Sequence, residues 1–200
     1  MIKNIIFDFG DIFINLDKPA VFKALENVGY KEVTPELDDI FKAYEMGLMT
    51  SENFILKLNE IFPSATPKQL RDAWNSILLD FPENRLLFLE KLAAEKKYRL
   101  FLLSNTNEIH IDYVINTMGE AQFDRFKECF EKFYLSHEIN LRKPNKDIYE
   151  FVLNENNLIA EETFFVDDTQ ENTDASAALG IKSWNLLVGK EDIIQLKTKL

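Results

Sequence analysis

The chain has one cysteine, two histidines and only six glycines and six prolines among its 200 residues. A single thiol, Cys129, excludes an internal disulfide framework and a cysteine-based zinc site, and a reducing, cytoplasmic setting is the natural expectation. No window approaches the ~18 uncharged apolar residues of a membrane-spanning helix. The N-terminal apolar run Ile5-Ile6-Phe7 is interrupted by Asp8 and Asp11, too early for a signal peptide's hydrophobic stretch. Basic residues are also scarce: 23 Lys and Arg against 34 Asp and Glu leave a net charge of −11. That removes the basic face on which a general nucleic-acid or anionic-membrane binder depends.

What is present is core material. Hydrophobic residues make up 46% of the chain, with 17 Phe, and charged residues 28%, which excludes a disordered or collagen-like chain. The length fits one domain, or one domain carrying a large insert, and should bury roughly 70% of its unfolded surface without staples. No internal repeat or low-complexity segment occurs.

Ile5–Phe7 is a β-rich apolar run closed by Asp8-Phe9-Gly10, the pattern of a buried parallel strand ending in a loop. From Asp17 the texture turns helical. Lys18–Val28, Pro35–Glu45, Ser51–Ile61 and Pro67–Leu78 carry helical spacing, with Thr34, Thr50 and Thr66 as cap residues and Pro35 and Pro67 at first helical positions. From Glu83 strands and helices alternate: helix 84–96, strand 99–103, helices 109–118 and 123–130, strand 132–135, helix 145–154, strand 163–166, helix 171–179 stopped by Gly180, strand 181–187 and a closing helix 191–200. Such alternation predicts an α/β fold, a doubly wound parallel sheet with helices on both faces. Residues 1–16 and 83–200 form the expected α/β core, and residues 17–82 an inserted helical cap.

Ligands of such sheets sit beyond the carboxyl ends of the strands. Three predicted strands end in polar or acidic residues there: Asp8, Ser104-Asn105 and Asp167-Asp168. A loop before a helix adds Lys143-Pro144. Singly, each has an ordinary reading as a turn, a helix cap or a solvated lysine. Adjacent carboxylates, however, repel and raise each other's pKa unless a cation lies between them. Together the four loops make a kit for phosphoryl transfer. Converging carboxylates suit Mg²⁺, a lone Asp can attack phosphorus, Ser104 and backbone N–H groups can hold phosphate oxygens, and Lys143 balances charge.

The ordered set Ile6-Phe7-Asp8-Phe9-Gly10-Asp11-Ile12, Leu102-Leu103-Ser104-Asn105, Lys143-Pro144 and Phe165-Val166-Asp167-Asp168 resembles the four motifs of the haloacid dehalogenase-like (HAD) hydrolase superfamily. The separations of 96, 39 and 25 residues, from Asp8 to Ser104 to Lys143 to Asp168, fit as well. In texture the chain is most similar to the small bacterial branch that includes the glucose-1-phosphate phosphatases. The resemblance implies a Rossmann-like core under a helical cap and a phosphatase for a small phosphorylated metabolite, possibly a sugar phosphate. It implies Asp8 as nucleophile, Lys143 steadying charge, Ser104 and Asn105 on phosphate, and Mg²⁺ on Asp8, the Gly10 carbonyl, Asp167 and Asp168. Asn172 stands where many members place an acidic residue supporting the metal.

One position departs from the pattern. Most phosphatase members carry a second Asp two residues after the nucleophile, as general acid and base; here Gly10 occupies it. Such help is worth typically ~10²–10⁴-fold, so the glycine predicts a slow phosphatase, a borrowed acid, or a substrate with a good leaving group such as a sugar 1-phosphate. Asp11, one residue on, should aim elsewhere. Two alternatives stand beside the phosphatase: a 2-haloacid dehalogenase, which leaves Asp167-Asp168 unexplained, and a degenerate binding or regulatory protein, which only Gly10 supports.

On the insert, Phe22, Phe41, Tyr44, Phe54 and Trp74 are expected to form the cap's own core, with Trp74-Asn75 and Tyr44-Glu45 facing the pocket. Segments 14–18 and 80–83 are the expected hinge. His110 and His137 read as surface or incidental residues, Arg142 as a solvated or phosphate-assisting cation, and Cys129 as a small buried hydrophobe.

Overall fold

β1 (Asn4–Phe7) has all four residues buried, so it can only be a central strand covered on both faces. In the computed structural model, which describes all 200 residues, it pairs in parallel with β2 (Arg99–Ser104) on one side and β4 (Thr163–Asp167) on the other. β3 (Lys132–Leu135) and β5 (Lys182–Asn185) complete an all-parallel sheet of order β3-β2-β1-β4-β5. The fold is therefore α/β and doubly wound. Phe7 is in register with Leu102 and with Val166, so the residues just past β1, β2 and β4 emerge together at one sheet edge. Strand order reverses at β1, which makes that edge the crevice where such folds bind ligands.

α5 (Glu83–Ala94), α6 (Glu108–Met118) and α7 (Glu120–Lys127) follow the first half of the core, with α9 (Lys146–Glu155) and α10 (Gln170–Ala177) in the second. Buried residues form separate groups: one of 22 around Ile5, Phe7 and Phe13, and one of 9 around Ile6, Phe101 and Phe165. The alternation of Ile5 and Ile6 between them follows from the period-two geometry of a strand.

α1 (Ala20–Glu26), α2 (Pro35–Glu45), α3 (Ser51–Ile61) and α4 (Pro67–Asn75) surround a third group of 14 buried residues. Thr34, Thr50 and Thr66 each accept a backbone N–H three residues on, as cap residues do. Tyr44 stacks on Phe54 with ring centroids 4.0 Å apart, and Trp74 packs on both Phe41 and Phe54. Phe22 does not join this group; it stacks on Tyr30 at 5.3 Å. The segments that cross to and from these helices are paired, with an antiparallel bridge between Leu16 and Leu78 and a 3.0 Å hydrogen bond from Asn15 to Asp80.

Two elements differ from expectation. The closing helix is a 3₁₀ turn over Ile193–Thr198, and a short helix α8 (Ser136–Ile139) occupies the expected loop after β3. Both are too short to show helical periodicity in sequence. No helix is long and apolar enough to cross a membrane.

Candidate active site

Asp8, the first residue past β1, is buried, and its Oδ1 accepts a 2.7 Å hydrogen bond from Lys143 Nζ. The same ammonium donates to Asp167 Oδ2 at 2.6 Å. Lys143 is only 1% exposed, an arrangement tolerable only because two carboxylates share its charge. Burial acts to lower its pKa; Asp167 and Asp8 outweigh burial and hold it above the ordinary lysine range. Its loop is fixed by Asn105, whose side-chain amide donates to the Lys143 carbonyl and accepts its N–H, both at 2.9 Å. The Asn105 side chain thus positions the lysine, while Ser104 is buried on the wall of an adjoining cavity.

Asp8, Asp167 and Asp168 bring carboxylate oxygens within 4.8 Å of one another. Burial pushes Asp8 up to about 7, with Lys143 pulling the other way and Asp167 adding to the rise. Burial also raises Asp168, opposed by Lys18, whose ammonium pairs with Asp168 and lies 3.4 Å from Asp11. The clustered carboxylate oxygens are the donors a hard divalent cation prefers.

The members of the acidic pair differ. Asp167 is fully buried and saturated, its oxygens taking the Thr169 N–H at 2.8 Å, Lys143, and the Asn172 amide at 3.1 and 3.0 Å. Asn172 is therefore a brace for Asp167. Asp168 keeps only Lys18 as a side-chain partner. Asp11 adopts a left-handed conformation with φ 54°, and its Oδ1 accepts the Leu16 N–H at 3.0 Å.

A cavity of about 100 Å³ lies between the core and the helical block, with Gly10, Ser104, Asn105, His110 and Glu45 among its walls. A larger one, about 670 Å³, lies at the outer seam between α3 and α6 and is lined by none of the four motifs. Of the residues expected to face the pocket, Glu45 does. Trp74 and Tyr44 are turned into the packed seam instead, the indole donating to Asn107 Oδ1 at 3.2 Å and the phenol accepting the Ile109 N–H at 3.2 Å. Asn75 has a buried Oδ1 without a partner. His110 is no surface residue: Nε2 donates to the Trp74 carbonyl at 3.0 Å, Nδ1 accepts from Asn107 at 3.1 Å, and burial lowers its pKa to about 4. His137 is partly buried, with an unpartnered Nδ1.

Arg142 is neither free nor on phosphate; it pairs with Glu45 at 2.9 Å. Ser136 Oγ donates to the Glu45 carbonyl at 2.6 Å and accepts the Thr106 N–H at 2.9 Å, joining α2 to the loop after β2. Neither Lys18 nor Ser136 stood out in sequence, because each acts across more than 80 residues of separation. Cys129 is half-buried, its thiol donating to the Arg125 carbonyl at 3.2 Å and raised to about 11 by burial.

A doubly wound sheet with acids and a shared lysine at its switch point belongs to a class whose chemistry lies past the strand ends. The chain belongs to the haloacid dehalogenase-like hydrolases, whose family model matches residues 5–186. It is 27% identical over 190 residues to the D-ribitol-5-phosphate phosphatase of Bacteroides thetaiotaomicron, covering 92% of this chain and 91% of that protein. A HAD-family enzyme from Bacteroides thetaiotaomicron, solved as an aspartate-to-alanine variant with magnesium and inorganic phosphate, is 33% identical, with 96% of both chains covered and a TM-score of 0.81. A predicted HAD-like family hydrolase from Porphyromonas gingivalis is 26% identical, with 99% of this chain and 97% of that one covered and a TM-score of 0.82.

Proposed function

We propose that this protein is a Mg²⁺-dependent phosphatase that hydrolyses a small sugar or sugar-alcohol phosphate through an aspartyl-phosphate on Asp8. One observation carries the reading: Lys143 holds Asp8 Oδ1, leaving Oδ2 without a protein partner in a buried acidic centre. A carboxylate fixed by one oxygen presents the other as a nucleophile without reorganising. Asp8, Asp168 and the Gly10 carbonyl would hold the metal, with Asp167 beside them. When bound, Mg²⁺ supplies the positive charge that lets an anionic nucleophile approach a phosphate dianion. Ser104 and neighbouring backbone N–H groups orient the phosphate, and Lys143 balances the charge of Asp8 as it is consumed and restored.

Residues 17–82 act as the cap of a core formed by 1–16 and 83–200, excluding water during the reaction. The acidic centre gives a halide-displacing dehalogenase no use for Asp168, and the intact Asp8–Lys143 pair argues against a merely binding protein. The D-ribitol-5-phosphate phosphatase relative directs the substrate toward phosphates of primary alcohols. Hydrolysis of p-nitrophenyl phosphate and a panel of sugar and sugar-alcohol phosphates, with Mg²⁺ and with EDTA, tests the reading. Turnover should require Mg²⁺ and vanish in Asp8→Asn. Metal-independent release of chloride from 2-chloropropionate, or unchanged turnover in Asp8→Asn, would overturn it.

A further inference from the structure

Expulsion of a primary alcohol leaves an alkoxide that needs a proton, and Gly10 has no side chain to give one. A Cβ built on Gly10 would lie 2.7 Å from Leu16 Cδ1 and 3.8 Å from Asp8 Oδ2, so the unengaged oxygen of Asp8 lies on the Gly10 side. Gly10 borders the cavity of about 100 Å³, room for roughly three waters or a substrate's ester oxygen and one water. Two titratable side chains line that cavity, Glu45 from α2 and His110 from α6. His110 has both ring nitrogens engaged and stays neutral down to about pH 4. Asp11 is outside the cavity, braced on the Leu16 N–H and beside Lys18. Glu45 gives Oε2 to Arg142 and keeps Oε1 without a protein partner. Burial lifts its carboxyl above the usual range, with Arg142 opposing, Asp38 adding and Lys42 opposing.

We propose that Glu45, reaching the cavity from the cap, is the proton-transfer residue of this phosphatase, in place of the side chain missing at position 10. The inference rests on the phosphatase reading above. In the first step Asp8 Oδ2 bonds to phosphorus, the bond from phosphorus to the ester oxygen breaks, and that oxygen keeps the electron pair and takes the proton from Glu45. In the second, Glu45 carboxylate takes a proton from water as the water oxygen bonds to phosphorus. The bond from phosphorus to Asp8 Oδ2 breaks, its electron pair returns to Asp8, and hydrogen phosphate leaves.

The test compares wild type, Glu45→Gln and Glu45→Asp by rapid quench with Mg²⁺. The substrates are p-nitrophenyl phosphate, whose leaving group needs no proton, and the best alkyl phosphate of the panel. Gln keeps an acceptor for Arg142, so the α2 contact survives, and melting curves check it. In Glu45→Gln, phosphoryl transfer from the alkyl phosphate should fall ~10²-fold or more. Its p-nitrophenol burst should stay within about fivefold of wild type, with phosphoenzyme accumulating because its hydrolysis has lost the base. Glu45→Asp, still an acid, should recover at least about tenfold of the alkyl rate. Equal losses with both substrates would assign Glu45 to positioning through Arg142 and overturn the proposal, as would wild-type alkyl rates in Glu45→Gln. A wild type inert on both substrates would instead remove the phosphatase reading itself, and the proposal with it.

Discussion

The Asn172 side-chain amide lies 3.1 and 3.0 Å from the two oxygens of Asp167, and the Thr169 N–H and Lys143 take up the remaining acceptor directions. Asp167 thereby anchors the lysine that holds Asp8. Of the acidic pair, Asp167 is saturated by protein donors and Asp168 has Lys18 as its only side-chain partner.

Asn172→Ala should leave the buried Asp167 short of a donor. Removing one partner of a buried polar group costs about 1–3 kcal/mol, and a fall of that size is expected in the urea-derived unfolding free energy. Asn172→Asp should destabilise the metal-free protein more, because it sets a second carboxylate against Asp167, and Mg²⁺ should recover part of the loss.

Lys143→Met should abolish turnover and lower stability by roughly 3–5 kcal/mol, since it strands Asp8 and Asp167 as uncompensated buried charges. Equilibrium unfolding checks it. Stability should recover partly as the pH is lowered, because Asp8, whose carboxyl burial lifts, can then take a proton.

His110 makes stability pH-dependent. The unfolded chain protonates this ring near its ordinary 6.5, the folded one only near 4. Between those values the unfolded state binds more protons, so the contribution of the neutral ring is whole above about 6.5 and is lost as the pH falls toward 4. The span corresponds to at most ~3 kcal/mol. His110→Gln keeps a donor for the Trp74 carbonyl and cannot titrate. Its unfolding midpoint in urea should fall less than wild type's between pH 7 and pH 4.5.

Gly47 ends α2 with φ +67°, and an added Cβ would lie 2.0 Å from the His137 carbonyl oxygen. Gly47→Ala combines left-handed strain with a clash against backbone, so a loss of about 2 kcal/mol or more is expected, read as a lowered melting temperature. The change should also loosen the Ser136 and Asn140 contacts to the Glu45 and Met46 carbonyls.

The fold was largely legible because its signals are local. Thr34, Thr50 and Thr66 announce three helices through hydrogen bonds made within three residues, and α2 and α3 fall on their expected bounds. The β1 run and the polar ends of β2 and β4 could be read the same way, since a strand buried on both faces writes itself as continuous hydrophobic sequence. Asp8 and Asp168 were visible as the polar residues that follow such runs, and Lys143 as a cation in the loop before a helix. Trp74 and Tyr44 join the core of the helical block, as their spacing predicts, but do not face the pocket, because helical spacing gives a residue's face without naming the neighbour that covers it. His110 was misread for a related reason: what buries it is Trp74, which approaches from another helix.

Sequence by itself determined which segments become strands and helices, their order, which acids stand at strand ends and which lysine stands in a loop before a helix, because propensity, capping and hydrophobic period act over a few residues. Tertiary structure alone decided what those groups do to one another. Lys143 meets two carboxylates rather than one, Asn172 saturates Asp167, Lys18 reaches Asp168 across 150 residues, and Glu45 of the helical block lines one cavity with Gly10. Charges and hydrogen bonds act over a few ångströms, and distances of that kind exist only once the chain has folded.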